Sequence, residues 1–200
     1  KEQRKREIAL AALEVFLERG IQSTSIGHIA RAAGIGKGTV YEYFASKLEV
    51  TIAAVSAWVE GVERAAAPRV DSAETPRERL RILLGASTRA FLEDPRMVAL
   101  FLGIAQLVLQ DSRLREDLDV VRRVSAPVRR AIEEILHDGA ERGDFRPEVA
   151  QQTEGIATNL VAFVDGLGLH YVSNPHRFDL TAQVDLYLDA LLHSLGPDVT

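Results

Sequence analysis

The chain has 200 residues, 46% apolar and 26% charged, the balance of a folded globular protein with length for one large domain or two small ones. It has no cysteine, which excludes disulfides, thiolate metal sites and cysteine nucleophiles, and no apolar run nears the ~20 residues of a membrane-crossing helix. The net charge of −5 hides an asymmetry, because residues 1–50 carry eight basic side chains against six glutamates, leaving −7 on the remainder. A mildly basic head on an acidic body suits a protein that meets phosphate at one end only.

Strand signals are nearly absent, whereas apolar residues recur at helical spacing throughout, so an all-α fold of about nine helices is expected. The opening Lys1-Glu2-Gln3-Arg4-Lys5-Arg6 is followed by no apolar signal core, and a cytoplasmic location is expected. A first helix is predicted from about Arg4 to Arg19, with Ile8, Ala12, Val15 and Phe16 on one face and Gly20 as its stop. A short second helix starts at Thr24 or Ser25, whose hydroxyls can cap free N–H groups, and ends at Gly34. A third runs from about Gly36 to Phe44. Ser46-Lys47-Leu48-Glu49 forms a capping box that opens a fourth, ending before Pro68.

Residues 67–75 read as a loop, and Thr75-Pro76-Arg77-Glu78 is a second capping box with proline at the first helical position. The fifth helix lasts to about Glu93, and the sixth runs from Asp94-Pro95 to about Leu109. A seventh region, about Arg113 to Arg142, must be kinked or split at Pro127. After a turn at residues 143–147 come an eighth helix, Pro147 to about Val172, and a ninth, Asp179 to about Leu195. The division expected from these elements is a helix-turn-helix domain at 1–46 (the motif itself at about 25–44) and a helical ligand-binding and dimerisation domain at 47–200.

The chemistry concentrates between Thr24 and Lys47. Gly34 permits the tight turn between two short helices. Ala30 and Ala33 keep the first of them slim, and Ile35, Val40 and Phe44 pin the second against it. That is the build of a helix-turn-helix, whose second helix enters the major groove. Gly36 and Gly38 let backbone approach a phosphate, and Lys37 adds charge. Thr39 can reach a base, Tyr41 and Tyr43 offer hydroxyls, and Lys47 stands as a flanking phosphate clamp.

The run from Gly20 to Lys47 reads Gly-x-x-x-Thr-Ser-Ile-x-x-Ile-Ala-x-x-Ala-Gly-Ile-Gly-Lys-Gly-Thr-Val-Tyr-x-Tyr-Phe-x-Ser-Lys. This pattern resembles the DNA-binding signature of the TetR family of transcriptional repressors. The resemblance extends in layout, not in motif, over the rest of the chain: its length, its nine helices and a glycine-rich eighth helix. It implies that Thr24 and Ser25 bind backbone phosphate, that Lys37, Gly38, Thr39 and Tyr41 sit in the groove, and that Tyr43 and Lys47 hold phosphates. Gly36 departs from the family, which often has serine there, so only its amide is left for a phosphate.

Outside the motif, Gly-Lys-Gly-Thr fails the spacing of a nucleotide phosphate loop, because Arg31 stands where that loop needs glycine and no strand precedes it. The five histidines (His28, His137, His170, His176, His193) show no i, i+4 ligand pair, and no nucleophile–base arrangement can be argued; no catalytic residue, metal or cofactor is expected. The eighth helix carries a stripe of Gly155, Asn159, Ala162 and Gly166 beside a bulky one. Because internal glycines cost ~1 kcal/mol each against alanine, close helix approach is the natural reason for them. Paired with Val184, Tyr187, Leu188, Leu191 and Leu195 of the ninth helix, the small residues Gly155, Ala162 and Gly166 are expected to build a four-helix homodimer interface. By resemblance, Trp58, Phe91, Met97, Phe101, Gln106, Asn159, Phe163 and His170 lie on helices that surround a small-molecule cavity.

The expected function is a homodimeric repressor released from a palindromic DNA operator by a small-molecule effector. The alternative is a helical small-molecule-binding or scaffold protein that uses residues 1–46 for protein contacts. Specific duplex binding with a steep salt dependence separates the two.

Overall fold

The structure, a computed structural model, describes residues 1–110 and 119–197. Among these the secondary structure is helical without strands: α1 (Glu2–Ser23), α2 (Ile26–Ala32), α3 (Lys37–Tyr43), α4 (Lys47–Ser72), α5 (Pro76–Glu93), α6 (Arg96–Gln110), α7 (Asp119–Glu141), a 3-10 turn (Pro147–Gln151), α8 (Thr153–Ser173) and α9 (Leu180–Leu195). The expected start of the seventh region near Arg113 lies outside the described residues. None of the described helices is long and apolar enough to cross a membrane.

The chain forms two compact units, one from residues 1–60 and 96–126, the other from 61–95 and 127 onward. The division expected from sequence, at 46/47, falls at the start of α4. In the first unit α1 packs on α2 and α6, and α2 on α3. Its core includes Ile8, Ala12, Phe16, Ile29, Val40 and Phe44, all buried. Burial of each large side chain contributes roughly 1.5–3 kcal/mol. In the second unit α5, α8 and α9 pack on one another. Arg77 donates to the Leu192 carbonyl at 2.5 Å, and the Arg146 amide to the Leu195 carbonyl at 2.9 Å, which ties down the C-terminal end of α9.

Pro68, expected to end a helix, and Pro127, expected to kink or split one, both lie inside continuous helices. Pro68 lies inside α4, which continues to Ser72. Pro68 is exposed and within the last turns, where the lost amide bond matters least. Pro127 lies inside α7, which runs on to Glu141. The carbonyl that proline leaves without its usual helical donor is that of Arg123, and the Ser56 hydroxyl donates to it at 3.4 Å. The eighth helix starts later than expected: Pro147–Gln151 is a 3-10 turn, and Gln152 (φ −120°, ψ 7°) separates it from α8.

Candidate nucleic-acid interface

The turn between α2 and α3 is a helix stop with both of its characteristic bonds. Gly34 takes φ +66°, the Ile35 amide donates to the Ala30 carbonyl at 2.9 Å, and the Gly34 amide to the Arg31 carbonyl at 3.2 Å. Only a residue without Cβ adopts that backbone cheaply, so the sequence sets the angle between the two helices at one position. Val40, fully buried, and Phe44, 2% exposed, then fix which face of α3 turns inward. The opposite face carries Lys37, Gly38 and Tyr41, all exposed, Tyr41 by 57%.

Ser25 is the N-cap of α2. Its Oγ accepts from the His28 amide at 3.3 Å, and the Ser25 amide donates back to Nδ1 of His28 at 3.3 Å. The box is complete with histidine in the place usually held by Glu or Gln. Sequence reasoning passed over His28; the Ser-x-x-His spacing was the available signal. Because the Ser25 hydroxyl oxygen only accepts here, its O–H remains able to donate outward to a phosphate. Lys37, at the start of α3, lies across α2: a Cβ built on Gly27 would sit 2.6 Å from its Cε. Gly27, also unremarked in the sequence, gives the lysine passage towards Ser25.

Gly36 caps α3 without any side-chain hydrogen bond, as expected for a residue with only an amide to offer. Gly38 is in open space and has no positive φ, so nothing inside the chain requires glycine there. Thr39 and Tyr43 are half-buried, on the borders of the exposed face.

Two expected phosphate ligands make bonds within the protein. Thr24 is 2% exposed, and its hydroxyl donates to the Gly20 carbonyl at 2.8 Å. Its amide also bonds inward, to the Ile21 carbonyl. Thr24 therefore shapes the turn and has no group left for DNA. Nζ of Lys47 donates to the carbonyls of Ile21 and Thr24 at 3.0 and 3.1 Å. An ammonium has three protons, so one is left to face a phosphate, but the first task of Lys47 is to hold the approach to α2.

The expected ligand residues are divided between the units. In the first, the rings of Trp58 and Phe101 meet edge to face at 6.2 Å, Met97 is fully buried, and Gln106 lines a groove between α1 and α6. In the second, Phe91 is buried, and Phe163 stacks on Tyr187 at 3.9 Å. Asn159 and His170 do not point into the core of that unit. Both are exposed on the α8 face that carries Gly155, Ala162 and Gly166, and the His170 ring stacks on Phe178.

The expected interface set is likewise split by burial. Gly155, Ala162 and Gly166 are exposed, as a close-approach stripe requires. Val184, Leu188 and Leu195 are buried inside the chain, at 2%, 1% and 5% exposure, and so cannot meet a second copy. Tyr187 and Leu191 are half-buried, and the apolar side chain that α9 does expose is Leu186. Leu186 stands off the inward leucine stripe, which was its signal in the sequence.

A slim helix locked to a second by a glycine turn, with the second presenting Lys37, Gly38 and Tyr41 outward, defines a DNA-binding regulator of the helix-turn-helix class. Comparison with known proteins agrees: the model for bacterial regulatory proteins of the tetR family matches residues 8–54, and that for the C-terminal part of BetI-type transcriptional repressors matches residues 76–195. The chain belongs to the TetR family of transcriptional regulators. It is 30% identical over 146 residues to the transcriptional repressor KstR2 of Mycobacterium tuberculosis, covering 73% of this chain and 71% of that protein. Against the regulator BetI of Rhizobium meliloti it is 29% identical over 207 aligned positions, covering 96% and 91% of the two chains. In fold it is similar to the crystal structure of the repressor FadR from Thermus thermophilus in complex with lauroyl-CoA, with a TM-score of 0.73, 23% identity, and coverage of 98% and 97%.

Proposed function

We propose that the protein is a homodimeric repressor in which each copy lays α3 into the major groove of one half of a near-palindromic operator. The two half-sites would be separated by about one helical turn, ~34 Å, or a multiple of it. The observation that carries this reading is the outward face of α3, where a glycine that the fold does not need stands beside an exposed tyrosine and lysine. Tyr41 and Thr39 read bases, Lys37 and Ser25 hold phosphate, and Tyr43 and the remaining proton of Lys47 add flanking phosphate contacts. Residues 1–46 act as the reader and 47–200 as the ligand-binding and dimer-forming part, the second copy meeting the exposed stripe Gly155, Ala162 and Gly166.

A small-molecule effector releases the operator. Lauroyl-CoA bound by a repressor of the same fold supports a ligand-responsive body. Release requires that the effector bind more tightly to a conformer whose readers do not fit the operator, since only differential affinity shifts the equilibrium.

The test is selection of binding sites from a random duplex pool with the full chain, followed by titration of the recovered duplex across salt concentrations. A two-fold symmetric site and a steep fall of affinity with salt are expected. Recovery of no sequence, or affinity indifferent to salt, would overturn the reading.

A further inference from the structure

Successive residues of an α-helix turn by about 100°, and the fully buried Val40 sets the inward direction of α3. Gly38 and Glu42 then lie about 160° and 200° round from it, one turn apart, and bracket the line that points straight out of the fold. Tyr41 and Thr39 stand to either side. Because Gly38 has no side chain, the group at the centre of this face is the carboxylate of Glu42, which is exposed.

That carboxylate has no task inside the chain. Among the described residues the Glu42 side chain makes neither an ion pair nor a hydrogen bond. In the same unit Glu7 pairs with Arg4 at 2.7 Å, Glu60 pairs with Arg6 at 2.5 Å, and Glu49 accepts from the Ala45 amide at 2.8 Å. The lysine of α3 is drawn the other way, across α2, where its Cε would lie 2.6 Å from a Cβ built on Gly27. A solvated glutamate needs no account on an ordinary helix surface. On this face it would enter a groove walled by phosphates.

Repulsion and lost hydration oppose a carboxylate there unless a base edge donates to it. In the major groove the donors are N4 of cytosine and N6 of adenine. An ionised carboxylate accepts and cannot donate, so adenine, with its N7 acceptor beside N6, suits a carboxamide better. Guanine and thymine turn acceptor atoms towards it. Cytosine remains.

We propose that Glu42 is a specificity-determining residue, which accepts a hydrogen bond from N4 of one cytosine in each operator half-site and excludes guanine and thymine from that position. This rests on the reader function proposed above and names one base that the reader requires.

The test repeats the selection from a random duplex pool with the full chain as wild type, Glu42→Gln and Glu42→Ala. The side chain is exposed, so both variants should keep wild-type helicity. The wild type should select cytosine at one position per half-site, Glu42→Gln should move that position towards adenine, and Glu42→Ala should accept all four bases there. Exchanging that cytosine for thymine in both half-sites should weaken the wild type by at least about fivefold and Glu42→Ala by less than about twofold. Selection of the same site by wild type and Glu42→Ala overturns the inference alone, as does release of a position that holds any base other than cytosine. Equal tightening of every duplex by Glu42→Ala also overturns it, since the carboxylate then only repels phosphate. A wild type that selects no sequence overturns the reader assignment, and the role of Glu42 with it.

Discussion

Helices α2–α3 and helices α8–α9 are both consecutive pairs joined by a short link, yet the two pairs expose different kinds of residue. In α2–α3 the apolar side chains are few; Ile29, Ala30 and Val40 are buried, and the exposed positions are Ala32, Arg31, Lys37, Gly38, Tyr41 and Glu42. In α8–α9 the inward stripe (Leu160, Val164, Leu180, Val184, Leu188) is apolar, and the outward face mixes small or apolar residues (Gly155, Ala162, Gly166, Leu169, Leu186) with polar ones such as Glu154, Asn159, His170, Asp185 and Asp189. The first pair exposes the residues proposed to meet a polyanion, and the second exposes the small residues proposed to meet a second copy. Hydrophobic periodicity identifies an inward face only where the outward one is polar.

The sharpest break of this comparison comes from the reader. Thr39→Ala with Tyr41→Ala removes groups that touch nothing essential in the core, and should lower affinity for the selected duplex by more than about 100-fold while leaving helicity and thermal midpoint near the wild type. Unchanged affinity in a gel-shift titration would remove α3 from the groove. On the other pair, Gly166→Leu puts a large side chain onto the exposed small-residue stripe of α8. It should yield monomers by sedimentation, and with them the loss of two-site operator binding. A stable dimer would place the second copy elsewhere on the molecule.

Lys47 separates what is structural from what touches DNA. Its ammonium closes two carbonyls at the end of α1, and charge-assisted bonds of this kind are worth roughly 1.5–3 kcal/mol each before the loss of side-chain freedom is counted. Lys47→Met should cost about 1–2 kcal/mol in chemical denaturation, weaken all duplexes alike, and reduce the salt slope by about one. A stability loss with an unchanged slope would assign the residue wholly to the scaffold. Gly38→Ala runs the other way. With open space around the missing Cβ and no positive φ, alanine should stabilise α3 by about 0.5–1 kcal/mol and weaken the operator complex by about tenfold through closer approach to the duplex. Gain in both properties would show that nothing packs against that backbone.

These contrasts also explain what could be read from sequence. The reader was legible because its determinants are local: Gly34 sets one turn, Ser25 and Ser46 start two helices, and Val40 and Phe44 leave only one face free. Thr24 was misjudged, and the inward task of Lys47 missed, because their partners are carbonyls that no sequence pattern reveals. Pro127 was expected to kink or split α7; the helix is not split there, and the carbonyl left without its amide donor accepts from Ser56, 71 positions away in the chain. In α8–α9 the helices were legible and the interface was not. Leu186 and Leu188 are the same residue two positions apart, one exposed and one buried, and only packing tells them apart.

Asp165 offers the smallest and most specific test of that second pair. It sits on α8 between the buried Val164 and the exposed Gly166, and burial pushes its carboxyl up from 3.8 to about 6. The cause is desolvation, which penalises the charged form. A folded-state value above the unfolded one means that the native protein holds the proton more tightly. Its contribution to stability is therefore full below about pH 4, and is lost as pH rises through about 6. Asp165→Asn cannot ionise and should flatten that limb. At neutral pH it should be more stable than the wild type by about 1 kcal/mol, a value kept below the full conversion because water still reaches the half-buried group. Below about pH 4 the two proteins should have the same denaturation midpoint. If instead Asp165→Asn is the less stable protein at neutral pH, the carboxylate has a cationic partner, and the outward face of α8 is a charged contact and not a small-residue seam.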